Sequence, residues 1–289
     1  MHTIARALTH WPAILAMFGV LGLQTALCVG RWHFLLKQRD ITLPFIDCLS
    51  LTMIGMAFSV ALPGAVAGDV VKGYWFKRRR GASPAAVASS IIIDRMLALF
   101  GLFVIASIGS MLSHRVLYAD ASTRALWGTI IFATLAMALT GALIAKVNWI
   151  PLKPHSSRWA SLMAAAQEFR YYLSSGPALA ALISTTLLAH ALSLIAYELA
   201  MYCIDGMWLA WSPLLVIVPL GLVATAIPIS PAGVGVGSAA FLFLFRLVLP
   251  QRAASGTEAI AVFQVVLIAF CLLGLIPYIS TSARSEPMA

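Results

Sequence analysis

Five groups of residues in this 289-residue chain combine types and spacings that can do chemistry. In the first, Pro63 and Gly64 interrupt a long apolar stretch, and Gly68, Asp69 and Lys72 follow at once. Proline and glycine end a helix and permit an irregular turn. A helix restarting near Gly68 sets Asp69 and Lys72 three residues apart on one face. There the lysine can meet a phosphate while the acid orients it. A helix cap flanked by ordinary interfacial charges accounts for the same residues. The second group, Lys77, Arg78, Arg79 and Arg80, attracts an anionic lipid surface at about 1 kcal/mol per charge. Such a cluster also acts as a topology signal.

The third group is Asp94 and Arg95, about ten residues into an apolar run. A charge near mid-bilayer costs about 2.5 kcal/mol or more, so both must face protein or water. Neighbouring helical residues point about 100° apart. Each is therefore expected to find its partner on another helix, as part of a polar path or as an ion pair that fixes packing. The fourth is Glu198, with His190 on the same face two turns earlier. Glu198 is a candidate partner for Arg95 or a cationic head group, or a proton site. His190 alone reads as an interhelical hydrogen-bonding residue. The fifth is the stretch 227–238, with Pro228, Pro231, Gly233, Gly235 and Ser238. A helix starting there aims free N–H groups and a positive dipole end at an anion. Residues 232–246 reach only about 22 Å as a helix, short of the roughly 30 Å hydrocarbon core, which predicts a re-entrant half-helix. Close helix packing through small residues accounts for the glycines equally.

The elements that hold these groups follow from composition. Hydrophobic residues are 61% of the chain and charged ones 10%, and mean hydropathy is +0.95. Soluble domains carry about 25% charge. The reading is an all-α, polytopic integral membrane bundle of seven to eight hydrophobic segments, forming one domain over 1–289. Helices are expected near 12–30, 44–62, 85–112, 125–147, 177–203, 209–229, 232–249 and 259–280. The eight tryptophans fall near the ends of these runs, as an aromatic belt requires. No internal repeat is visible. Residues 159–172 have the apolar spacing of a helix lying on the membrane surface or of a solvated linker.

The net charge of +9 falls in loops, which argues for lipid rather than nucleic acid as partner. Lys and Arg number five in 63–84 and four in 146–176, against three in 31–43 and two in 113–124. That bias predicts a cytoplasmic location for 63–84 and 146–176. It leaves Arg31, Lys37 and Arg39 outside unless a run such as 44–62 is re-entrant. The four cysteines lie in apolar runs and read as buried hydrophobes. No metal, cofactor, nucleotide loop or nucleophile triad is expected.

In order and spacing, LPG…GD…K…RRRG, then a helix with DR, then IPISPAGVGVG, resembles the membrane domain of lysylphosphatidylglycerol synthase and its stand-alone flippase-like relatives. The resemblance spans about Arg31 to Tyr278. It implies movement of a modified phospholipid or a polyprenyl-linked lipid between leaflets of a bacterial inner membrane. The positions that match are Pro63, Gly64, Gly68, Asp69, Asp94, Arg95, Pro228, Pro231, Gly233 and Gly235. Lys72 stands where relatives often have Arg, which keeps the charge and loses the planar fork. Ser238 stands where many relatives carry an acid. Gly30-Arg31-Trp32 resembles the end of the family's second helix, which implies a chain one helix short. Two other functions fit the same residues: an accessory subunit of a glycosyltransferase or other lipid-modifying enzyme, and an intramembrane head-group transferase with Asp69 or Glu198 as base.

Overall fold

The computed structural model describes residues 2–61, 65–80, 84–113, 120–146, 167, 169–172, 175–226 and 234–282, and contains no strand among them. A short amphipathic helix α1 (His2–Thr9) precedes α2 (Trp11–Lys37), α3 (Phe45–Ala61), α4 (Ala65–Arg80) and α5 (Pro84–Leu112). Then come α6 (Ala121–Lys146), α7 (Gly176–Asp205), α8 (Trp211–Ala226) and α9 (Val236–Val248). A 3-10 turn (Pro250–Arg252) leads into α10 (Ala253–Leu272) and α11 (Leu275–Ser282).

Among the described residues five segments are long and apolar enough to cross a bilayer: α2, α5, α6, α7 and the stretch Pro250–Ser280. The others come in short pairs. Helices α3 and α4, of 17 and 16 residues, form one hairpin; α8 and α9, of 16 and 13, form another. At 1.5 Å per residue these reach about 20–26 Å, less than the hydrocarbon core. The half-helix expected over 232–246 corresponds to α9. The connection expected over 63–84 is instead mostly helix, because α4 packs along α3 through Gly68. Its backbone runs as helix to Arg80.

The core is uneven. The largest apolar cluster joins α7, α8, α9 and α10 through Tyr197, Met201, Val216, Phe241, Phe245 and Phe263. A smaller one around Trp32, Leu36, Leu51 and Phe76 joins α2 to α3, α4 and α5. Trp11, Trp208 and Trp211 are exposed near helix ends, as expected of belt residues, but Trp32 is fully buried. It lies inside α2, which runs seven residues past the expected end at 30. Helix α6 lies at the periphery, with Phe132, Leu135, Leu139 and Leu143 outward at helical spacing. Its start is a reciprocal cap: Thr123 N–H donates to Asp120 Oδ1 at 2.9 Å and Asp120 N–H to Thr123 Oγ1 at 3.3 Å. The backbone bond from Thr123 holds the Asp120 carboxyl below its usual range.

Helices α5 and α8 cross at Gly109, where an added Cβ would meet the backbone of Leu215. Gly19 on α2 has open space at the same position. Gly109→Ala is expected to destabilise the protein by about 1–3 kcal/mol through overpacking. Gly19→Ala is expected to be neutral or stabilising by up to about 1 kcal/mol. Thermal unfolding in detergent checks both.

Candidate functional site

A cavity of about 290 Å³ lies between α2, α3, α4, α5, α7 and α10. Its wall carries three cations, Arg31, Lys72 and Arg95, and two carboxylates, Asp69 and Asp94. Gln24, Thr25, Thr52, Ser59 and His190 add polar groups. Gly68, Asp69, Lys72, Asp94 and Arg95, singled out in the sequence, thus come together in one place.

Two ion pairs organise the wall. Arg31 Nε donates to Asp94 Oδ1 at 2.8 Å, and Arg31 Nη1 donates to Thr186 Oγ1 at 2.8 Å, tying α2, α5 and α7. The Arg31 side chain is 3% exposed. Arg95 Nε donates to Asp69 Oδ2 at 2.7 Å, tying α5 to α4, and the Arg95 side chain is 56% exposed. Adjacent residues on α5 therefore find partners on different helices, as the 100° step requires. Arg95 pairs with Asp69, not Glu198. Buried ion pairs that also satisfy further hydrogen bonds are costly to break from one side.

Lys72 is arranged differently. It is 93% buried, being 7% exposed, and its Nζ lies 3.5 Å from the centroid of the Trp32 ring. Among the described residues it has no carboxylate partner; Asp69, one turn earlier on α4, is taken by Arg95. The tryptophan is itself fixed: its Nε1–H donates to Ser90 Oγ at 3.1 Å and Ser90 Oγ–H to Val87 O at 2.8 Å. Phe76 meets the indole edge-on. Close by, Thr52 Oγ1 is buried without a hydrogen-bond partner among the described residues.

Gly68 lets α4 approach. An added Cβ would collide with the Gly55 carbonyl and Ser59 Oγ on α3. Because Gly68 precedes Asp69 directly, this close crossing sets the height of Asp69 and Lys72 against α2 and α5.

The remaining expected residues lie elsewhere. Glu198 is buried two turns beyond His190 on α7, where Oε1 accepts the Leu209 N–H and Oε2 has no partner among the described residues. It does not line the cavity. His190 does, and its Nε2 donates to Ala98 O at 2.9 Å, as expected of an interhelical bond. Gly235 is the N-cap of α9 with φ 88°, a left-handed backbone that suits glycine. Ser238 Oγ donates to Gln264 Oε1 at 3.4 Å. Pro63, Gly64, Pro228, Pro231 and Gly233 lie outside the described residues, as do the side chains of Lys77 to Arg80. Sequence reasoning missed Arg31 as a wall residue and Trp32 as the ring that Lys72 lies against. The signal was present: an arginine continuous with an apolar helix needs an internal partner.

Replacing Arg31 with Leu leaves the half-buried Asp94 without its partner. A loss of about 3–5 kcal/mol is expected. Adding Asp94→Leu should restore part of it, which a double-mutant cycle by thermal unfolding measures.

Among curated proteins no match to the chain was found. The chain does match the family model for the lysylphosphatidylglycerol synthase TM region over residues 1–274. With five spanning segments and nearly its whole length matched, it belongs to the lysylphosphatidylglycerol synthase transmembrane-region family, membrane proteins whose function relates to membrane lipid.

Proposed function

We propose that this protein moves a lipid with a phosphate-bearing head group, an anionic phospholipid or a polyprenyl-phosphate-linked lipid, between the leaflets of a bacterial inner membrane. The observation that carries this reading is Lys72, a buried cation that lines a polar cavity and lacks a carboxylate partner among the described residues. A lysine inside a membrane protein costs about 2.5–3.5 kcal/mol or more. An aromatic face returns about 0.5–2 kcal/mol of this. An arrangement left short in this way is suited to an anion that arrives and leaves.

Charge count supports the same reading. Among the described lining residues three cations against two carboxylates leave one positive charge, which matches the single negative charge of a phosphodiester. Lys72 Nζ, and the Thr52 hydroxyl, which has no partner among the described residues, supply donors for phosphate oxygens. The exposed Arg95 stands at the cavity's accessible side and can exchange Asp69 for the arriving phosphate. Acyl or prenyl tails stay in the bilayer, so only the head group needs a polar route. The Lys and Arg bias of 63–84 and 146–176 assigns both to the cytoplasmic side in this reading, where basic residues attract anionic lipid.

In vesicles containing the purified protein and fluorescent phosphatidylglycerol, Lys72→Gln is expected to lower the flipping rate about tenfold or more, one lost charge-assisted contact. Lys72→Arg should retain part of it. Equal rates for wild type and Lys72→Gln would overturn the assignment of Lys72. No flipping of phosphatidylglycerol or of a polyprenyl-phosphate probe by folded wild-type protein would favour an accessory subunit of a lipid-modifying enzyme.

A further inference from the structure

The helices repeat in order. Long, short, short, long describes both α2–α5 and α7–α10. A single offset of 169 residues aligns the two halves without a gap. It relates the starts of α5 and α10, Pro84 and Ala253. It relates Pro44 to Pro213, Gly68 to Gly237, Phe76 to Phe245 and Ile91 to Ile260. Phe76 and Phe245 are both fully buried, and both glycines sit where a Cβ would strike the other limb of the hairpin.

The contacts reveal the symmetry between the halves. Gln24 Nε2 donates to Ser193 Oγ at 2.8 Å, and these two are themselves 169 residues apart. Equivalent residues touch each other only beside a two-fold axis. Seven residues further along α2, Arg31 meets Thr186, seven residues back along α7. The two helices therefore run antiparallel, and the halves are inverted relative to one another. The cavity reaches the axis, since Ala98 and its equivalent Leu267, and Leu21 and its equivalent His190, all line it.

One bonded pair is also repeated. Arg95 and Asp69, 26 residues apart, correspond to Gln264 and Ser238, also 26 apart and also hydrogen-bonded. Elsewhere the halves diverge. Arg31, Lys72 and Asp94 have Ala200, Phe241 and Phe263 as equivalents, all buried in the apolar core. The second half retains polarity at the repeated pair and discards the charge.

We propose that α2–α5 and α7–α10 are inverted repeats, and that Ser238 and Gln264 form a second, uncharged station for the phosphate-bearing head group. It is reached when the α8–α9 hairpin opens as the α3–α4 hairpin closes. This rests on the translocation reading above. Inverted repeats exchange two equivalent conformations by rocking one unit against the other around a midplane site. Passage also requires that a bound group can leave. A charged station at one end and a neutral one at the other meets that need.

The test uses full-length protein with Cys28, Cys48, Cys203 and Cys271 replaced by Ala, in right-side-out and inside-out vesicles. A single cysteine is placed at Met56, on the cavity wall, or at its equivalent, Thr225. A membrane-impermeant thiol reagent is expected to label Met56→Cys from one face and Thr225→Cys from the other. Labelling of both from the same face, or none of Thr225→Cys from either, would overturn the proposal. A second measurement keeps the natural cysteines. Ser238→Ala with Gln264→Leu should slow phosphatidylglycerol flipping about tenfold. An unchanged rate would contradict the second station. Two-faced labelling in protein that flips no lipid would leave the repeats standing and sink the translocation reading instead.

Discussion

Charge inside a bilayer must find a partner, and this constraint organises the first half of the molecule. Arg31, Asp94, Arg95 and Asp69 are consecutive links in a chain of ion pairs and hydrogen bonds running from α7 through α2 and α5 to α4. Each link joins helices that hydrophobic contact alone would not hold in register, since lipid competes for apolar surfaces. The chain also leaves a cavity, because charged side chains with fixed geometry cannot collapse as an apolar core does. Lys72 stands next to this framework without being consumed by it, held by the face of Trp32.

The second half meets the same topology with different chemistry. Phe241, Phe245, Phe263 and Tyr197 fill its centre, with Tyr197 and Phe241 stacked at 4.9 Å between centroids. Aromatic packing of this kind makes a firm body. The molecule thus divides into a packed half that serves as scaffold and a polar half that holds the cavity, on one fold used twice.

Much of this was legible from the residues. The apolar runs located the long helices, and the 100° step between Asp94 and Arg95 foretold separate partners. The glycine-rich stretch before α9 announced a short helix. Other features were hidden for physical reasons. Helix α4 has low mean hydropathy and two internal glycines, so it reads as a loop until α3 is there to pack against. Arg31 looked like a loop residue because hydropathy falls before α2 ends. Glu198 looked functional because intramembrane acids usually are, yet its Oε1 holds the backbone of the loop before α8. The repeat escaped notice because its constant positions are single prolines, glycines and aromatics that fix geometry, while the residues that carry charge differ between the halves.

If Lys72 is kept unpaired for a ligand, it should cost stability when the site is empty and return it when the site is filled. Thermal unfolding in a neutral detergent, for wild type and Lys72→Gln, with and without added phosphatidylglycerol, reads both effects together. The account predicts that without lipid Lys72→Gln is at least as stable as wild type, and that lipid raises the melting temperature of wild type and not of the variant. A less stable Lys72→Gln protein with an undiminished lipid-induced rise would contradict it, making Lys72 a structural cation and placing the lipid elsewhere.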